Sequence, residues 1–111
     1  MNWIKLNSIE QLDEIDRLSH TQPVLIFKHS TRCSISSTAL NRFEKQYKPE
    51  DETLLPAYYL DLLTYRPISN EIANRYTIEH QSPQALLIKD GKCIHESTHF
   101  EIDYSEIKSK L

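Results

Sequence analysis

Cys33 is the side chain of this 111-residue chain with the strongest signs of reactivity. It follows the polar run 30–32 and precedes Ser34, and such flanks do not describe a core position. It also stands between an apolar run at 24–27 and the beginning of a helical pattern. A thiolate at a helix start faces unpaired backbone N–H groups and the positive end of the helix dipole, which stabilise it. The pattern predicts a nucleophilic thiol, with an inert buried cysteine as the alternative.

The spacing around Cys33 limits the exchange chemistry that this thiol could perform. A dithiol oxidoreductase carries a second cysteine three residues later, where this chain has Ser36. Because a hydroxyl cannot resolve a mixed disulfide, exchange must be monothiol, with an external thiol as resolver. Ser36 lies one helical turn from Cys33, and we expect its hydroxyl to donate a hydrogen bond to the thiolate. His29 either tunes the thiol or caps the preceding strand.

Cys93, the second cysteine, is predicted to lie in a later strand as an inert thiol. A disulfide would require its Cα within about 7 Å of the Cα of Cys33, and the last strand is expected to lie farther away. His95 and His99 share its strand face. Residues 93 to 99 span roughly 20 Å of extended strand, so no metal site is expected there.

Apolar periodicity predicts the elements that must position these groups. Strands are expected at 3–6, 24–29, 57–62, 85–88 and 92–98, and helices at 8–19, from near 33 to before 49, from 67 to 76, and from 103 onwards. Lys48–Thr53 is expected to be a charged loop, and Asp90-Gly91 a hairpin turn. Two βαβ crossovers followed by a hairpin predict an α/β fold, with a central mixed sheet flanked by helices.

Pro83, in the run Gln81-Ser82-Pro83-Gln84, precedes the fourth strand. Thioredoxin-like domains, which share the predicted order of elements, carry a cis-proline here beside the active cysteine. In that arrangement the backbone of Ser82 would pair with an extended thiol ligand. Spacing alone permits an ordinary trans proline, which is the commoner form, and only the fold argument favours cis.

Composition excludes several classes of function. With 13 Lys+Arg against 16 Asp+Glu, the net charge of −3 argues against a nucleic-acid partner. No apolar stretch approaches the roughly 20 residues that span a bilayer, and a single glycine excludes glycine-rich phosphate loops. The start of the chain has no export-signal pattern. We therefore expect one cytoplasmic domain over 1–111, with reduced cysteines.

Three segments together resemble one family. The run Phe-Lys-His-Ser-Thr-Arg-Cys-Ser-Ile-Ser at 27–36, the segment 66–73 and Ser82-Pro83-Gln84 resemble the YtxJ family of monothiol bacilliredoxins. These are thioredoxin-like proteins of the bacillithiol redox system. The resemblance extends from Trp3 into the last helix. Ser34 departs from it, since family members often carry proline there.

The resemblance implies a thioredoxin-like fold and removal of bacillithiol from client proteins during redox stress. Cys33 would be the nucleophile, bacillithiol a co-substrate rather than a bound cofactor, and a low-molecular-weight thiol the regenerating agent. Two carboxylates on the malate group of bacillithiol would favour nearby cations, first Arg32 and then Lys28, Arg66 and His80. The expected site comprises Cys33 and Ser36 for catalysis, with Thr31, Arg32, Ser82, Pro83 and His29 for binding. The alternative is a non-catalytic thioredoxin-like binding or redox-sensing module.

Overall fold

A five-stranded mixed sheet forms the centre of the molecule, and the computed structural model describes residues 1–111. The strands are β1 (Ile4–Lys5), β2 (Val24–His29), β3 (Ala57–Asp61), β4 (Gln84–Lys89) and β5 (Lys92–Thr98), and the helices are α1 (Glu10–Ser19), α2 (Ser34–Gln46), α3 (Arg66–Tyr76) and α4 (Tyr104–Lys108). The strand order is β1-β3-β2-β4-β5. β3 is parallel to β1 and β2, whereas β4 is antiparallel to β2 and β5. The predicted mixed sheet flanked by helices is confirmed.

Strand β2 is buried along its whole length, as its apolar run predicts. Its alternate side chains enter two cores, one on each face of the sheet. Val24 and Ile26 pack in the core on the side of α1 and α3, while Leu25 and Phe27 pack on the side of α2 and α4. Because the side-chain period of a strand is two, the next residues, Lys28 and His29, also face opposite cores.

Local differences from the predicted elements have simple causes. The stretch expected to be a charged loop contains a 3₁₀ turn at Pro49–Glu52, because the buried Asp51 carboxylate accepts a hydrogen bond from the Lys48 N–H at 3.0 Å. Ile35 belongs to the predicted apolar stripe of α2 but is 37% exposed, whereas the next residue, Ser36, is fully buried. In the hairpin, Asp90 and Gly91 both have positive φ, at 53° and 73°, as the predicted turn requires.

One edge of the sheet collects most of the polar residues singled out above. The carboxyl ends of β1, β2 and β3 meet there, because these strands are parallel. The beginning of β4 and the end of β5 lie at the same edge through the Gln84–Thr98 pairing. We call it the Cys33 edge.

Candidate active site

Cys33 stands immediately before the first residue of α2, as the sequence predicts. Its backbone is extended (φ −112°, ψ 121°), its N–H donates to the Ser30 carbonyl at 3.2 Å, and its carbonyl accepts from the Ser37 N–H at 3.0 Å. The backbone N–H groups of residues 34–36 therefore have no acceptor in the preceding turn. The side chain is half-buried and forms no disulfide. Cys33 is therefore accessible at the N-terminus of α2, and its side chain makes no capping hydrogen bond to the helix.

Ser36 does not make the hydrogen bond to Cys33 that the sequence suggested. Its side chain is fully buried, and its hydroxyl lies 2.7 Å from Nδ1 of His29 and accepts from the Ser30 N–H at 3.0 Å. Ser36 therefore fixes the loop that carries Cys33, since it ties the end of β2 to the start of α2. A small polar side chain satisfies the nearest buried groups first, and spacing along the helix does not reveal those groups.

His29 lies beneath α2, and its side chain is not in a position to touch a ligand from solvent. The residue is 5% exposed, and its ring centroid is 5.7 Å from that of Tyr59. Burial lowers the pKa of His29, against the opposing effect of Asp61, so the ring is neutral at pH 7. The geometry thus favours a role in fixing Ser36 over direct binding of substrate.

Lys28 is fully buried on the opposite face of the sheet. Its Nζ donates to the Ser69 carbonyl at 3.3 Å and lies 3.3 Å from Nδ1 of His80, and no carboxylate pairs with it. Burial lowers the pKa of Lys28 to about 8. The pKa of His80 is also lowered, first by burial and then by the charges of Lys28 and Arg66. Buried charges are usually paired, so a buried ammonium group without a counterion distinguishes Lys28 from the other buried residues.

The Ser82–Pro83 peptide bond is cis, which decides between the two conformations that the sequence permitted. Pro83 is buried, and its carbonyl accepts from the His99 N–H at 3.2 Å, so the end of β5 adjoins it. The Ser82 hydroxyl is buried without a hydrogen-bond partner. Since the adjoining residue Gln84 pairs with Lys28, this segment lies at the Cys33 edge.

Thr31 and Arg32 are exposed in the turn before Cys33. No carboxylate forms an ion pair with Arg32, so its guanidinium is open to solvent. Arg66, the first residue of α3, is likewise exposed and has no ion-pair partner. Each of the three side chains is therefore accessible at the Cys33 edge.

A cavity that the sequence analysis missed lies on the far side of β2 from Pro83. It measures about 240 Å³ and is lined by Lys5, Leu6, Asn7, Tyr59, Asp61, Thr64 and Tyr65. Oδ2 of Asp61 accepts from the Thr64 hydroxyl at 2.9 Å, while Oδ1 is buried without a partner. His29 pairs with Asp61 across the sheet, so the cavity adjoins the loop before Cys33. Only the strand order, which no local pattern encodes, brings these residues together.

Cys93 lies at the opposite edge of the sheet. It pairs with Ile88, which in turn pairs with Val24 at the beginning of β2. The length of six-residue β2, roughly 16 Å, therefore separates it from the Cys33 edge. Its Sγ donates to the His95 carbonyl at 3.3 Å, and burial raises the pKa of this thiol. Cys93 cannot form a disulfide with Cys33 in this fold.

No group of three His, Cys, Asp or Glu side chains is arranged to hold a metal ion. None of the helices has the length and apolar character needed to cross a membrane.

Comparison with known proteins agrees with this geometry. The chain matches the family model of the monothiol bacilliredoxin BrxC over residues 4–107. A solved structure described as a candidate oxidoreductase with a thioredoxin fold is 31% identical, with a TM-score of 0.82, and the match covers 96% of this chain and 90% of that one.

Two thioredoxins extend the structural comparison. The thioredoxin of Malassezia sympodialis is 18% identical, with a TM-score of 0.73 over 98% of this chain and 87% of that one. The thioredoxin of Trypanosoma brucei brucei is 16% identical, with a TM-score of 0.71 over 98% and 88%. At these identities the likeness concerns the fold. With the half-buried Cys33 at a helix start and the family match over nearly the whole length, the chain belongs to the monothiol bacilliredoxin family and is a thiol oxidoreductase with the thioredoxin fold.

Proposed function

We propose that this protein removes bacillithiol from protein mixed disulfides by a monothiol mechanism in which Cys33 is the nucleophile. The observation that carries the proposal is the isolation of Cys33. It is the only thiol at its edge of the sheet, because position 36 is a buried serine and Cys93 lies at the other edge. A thiol without a resolving partner suits the transfer of a small thiol rather than the formation of an internal disulfide.

The reaction consists of two thiol–disulfide exchanges. The Cys33 thiolate attacks the bacillithiol sulfur of the mixed disulfide, so that a bond between these sulfurs forms as the bond to the client breaks. The client leaves as a thiolate and takes a proton from water. A second low-molecular-weight thiolate then attacks the bacillithiol sulfur on Cys33, which releases Cys33 as thiolate together with a small disulfide. Each step conserves charge and electrons, since one thiolate replaces another.

The surrounding residues position the sulfur for these attacks. Ser36 holds the loop before Cys33 through His29 and Ser30, and we assign both Ser36 and His29 as positioning residues. Cys33 is half-buried and stands directly before the N–H groups of residues 34–36, which have no acceptor within the helix. Ser82 and Pro83 form the neighbouring wall on which the extended client chain would lie.

The expected partners are bacillithiolated client proteins and a small reducing thiol. Both cysteines are free, and exchange requires Cys33 to be reduced between cycles. Such a cycle fits the cytoplasm, where thiols are kept reduced.

The test is intact-mass analysis of the reduced protein after mixing with a bacillithiolated client. We expect the mass of one bacillithiol to move from the client to this protein. Cys33→Ser should abolish the transfer, whereas Cys93→Ser is the matched control and should transfer as the wild type does. If the client stays capped while Cys33 remains a free thiol, the proposal fails. The Cys33 edge would then be a binding surface, as in the alternative of a non-catalytic module.

A further inference from the structure

Lys28, Ser69 and His80 are in hydrogen-bond contact on the α3 side of the Cys33 edge, and Arg66, three residues before Ser69 at the start of α3, lies near enough for its charge to lower the pKa of His80. We call Lys28, Arg66, Ser69 and His80 the Lys28 cluster. Ser69 lies in the first turn of α3, and His80 precedes the Ser82–Pro83 segment by two residues. The cluster therefore adjoins the wall expected to hold the mixed disulfide.

The hydrogen bonds of the cluster determine the tautomer of His80. Nδ1 of this ring lies 3.3 Å from Nζ of Lys28 and 3.2 Å from the Ser69 hydroxyl. An ammonium group only donates, so Nδ1 must act as an acceptor and carries no proton. The neutral ring then carries its hydrogen on Nε2. Because His80 is exposed, this N–H is available to a ligand.

The charge of the cluster has no counterion in the protein. None of the six ion pairs of the molecule involves Lys28, Arg66 or His80. The nearby carboxylate of Glu71 pairs with Arg75 instead. The closest carboxylate on this face that the hydrogen bonds connect to the cluster is that of Glu96, which accepts from the Gln84 amide rather than pairing with Lys28 or Arg66. Positive charge without an ion-pair partner, beside two exposed donors, favours the binding of an anion.

We infer that Arg66 and His80 bind a carboxylate of the low-molecular-weight thiol while Cys33 exchanges with its sulfur. Arg66 offers its guanidinium and His80 its Nε2–H, and Lys28 supplies charge from beneath and holds the ring in the required tautomer. This inference rests on the proposed function. The sequence favours Arg32, in the turn before Cys33, as the first contact of a carboxylate. The inference places this contact instead at Arg66 and His80, on the α3 side of the Cys33 edge.

The inference is tested with two mixed disulfides on the same client peptide. One carries bacillithiol, and the other carries the analogue in which a methyl group replaces the malate. The measured quantity is the ratio of the two second-order rate constants for release of the peptide thiol. For the wild type we expect the bacillithiol disulfide to react faster. Because the peptide is constant, an acidic client side chain cannot alter this ratio.

Single substitutions then locate the site. We expect Arg66→Gln and His80→Gln each to lower the ratio about fivefold, the effect of losing one partly exposed contact with a carboxylate worth about 1 kcal/mol, an ion pair for Arg66 and a hydrogen bond for His80. The exposed Arg17 of α1 provides the matched control, and Arg17→Gln should leave the ratio unchanged. An unchanged ratio in both cluster variants, or a fall confined to Arg32→Gln, overturns the inference. If the wild type releases thiol from neither disulfide, the proposed function itself fails.

Lys28 requires a different readout, because it is buried and acts through His80. Lys28→Met keeps the length of the side chain and removes its charge. We expect the ratio to fall as in the His80 variant, and the ¹⁵N shifts of the His80 ring to report loss of the fixed tautomer. An unchanged ring spectrum would remove Lys28 from the assignment. If this variant does not fold, the Arg66 and His80 variants still decide the inference.

Discussion

Lys28 and His29 are neighbours at the end of β2, and both are buried, yet their surroundings differ in kind. His29 belongs to a hydrogen-bond network that is complete within the protein, which we call the closed network. In it, the His29 ring and the Ser30 N–H share the Ser36 hydroxyl. Lys28 belongs to a network that lacks a counterion, because its ammonium group contacts a carbonyl and a neutral imidazole but no carboxylate. The first arrangement satisfies its groups within the protein, whereas the second leaves positive charge for something outside it.

The difference indicates that the two faces of the sheet have different roles. The α2 side fixes Cys33, the proposed nucleophile, since Ser36 joins the strand before Cys33 to the helix after it. The α3 side carries the charges proposed to recognise the small thiol. A closed network should contribute to stability, because removing one member leaves the others unpaired. A buried cation without a counterion should reduce stability, because it has been taken out of water.

The largest expected effect comes from opening the closed network. Ser36→Ala removes the hydroxyl that both His29 and the Ser30 N–H use, so two buried polar groups lose their partner. We expect the free energy of unfolding to fall by about 2–6 kcal/mol, at 1–3 kcal/mol for each of the two unsatisfied groups. Urea denaturation measures it. Ser37→Ala, in the same helical turn, is the control and should change it by less than about 0.5 kcal/mol. If Ser36→Ala also changes the free energy of unfolding by less than about 0.5 kcal/mol, then His29 and the Ser30 N–H do not depend on the Ser36 hydroxyl.

On the other face of the sheet we expect the opposite effect, because removing the charge of Lys28 should raise the free energy of unfolding. The folded-state pKa of Lys28, about 8, is below the value of 10.5 for the free side chain. Below pH 8 both the folded and the unfolded states hold the proton, and the full penalty of the buried charge is present. As the pH rises from 8 to 10.5 the folded protein releases this proton first, and the penalty is relieved.

Lys28→Met should therefore raise the free energy of unfolding at pH 7, and its advantage over the wild type should shrink by about 2 kcal/mol between pH 7 and pH 9.5. Urea denaturation of both proteins at the two pH values gives this difference. The buried tyrosines are the same in both proteins, so their titration cancels. An advantage that is constant with pH would contradict the assignment of a buried, charged Lys28.

The sequence predicts the framework of this site well. The apolar run at 24–27 fixes β2, and the change to helical spacing after Cys33 fixes the start of α2. Period-two alternation also requires Lys28 and His29 to face opposite ways. These features are local, and physical rules that act over a few residues suffice for them.

The contacts of the site are less accessible from sequence, because they join residues far apart in the chain. The distance in sequence is 52 residues between Lys28 and His80 and 41 between Lys28 and Ser69. The cavity beside Asp61 likewise depends on β3 lying between β1 and β2. Had the parallel order been known, the meeting of the strand ends would have pointed to Asp61. The partners of Ser36 lie closer in sequence, but helical spacing pointed to Cys33 instead.

The smallest expected effect compares the two histidines directly. Burial lowers the pKa of both rings, so folding favours the neutral form of each and each reduces stability as the pH falls below the ordinary histidine value of 6.5. A bound carboxylate should raise the pKa of His80, because a negative charge favours the imidazolium. It should leave His29 unchanged, since that ring faces the other core. NMR titration of both rings with and without free bacillithiol measures this, using Cys33→Ser to prevent exchange. Equal shifts of the two rings, or a shift of His29 alone, would mean that the two faces are not separate, and that the small thiol acts on the whole edge rather than at the Lys28 cluster.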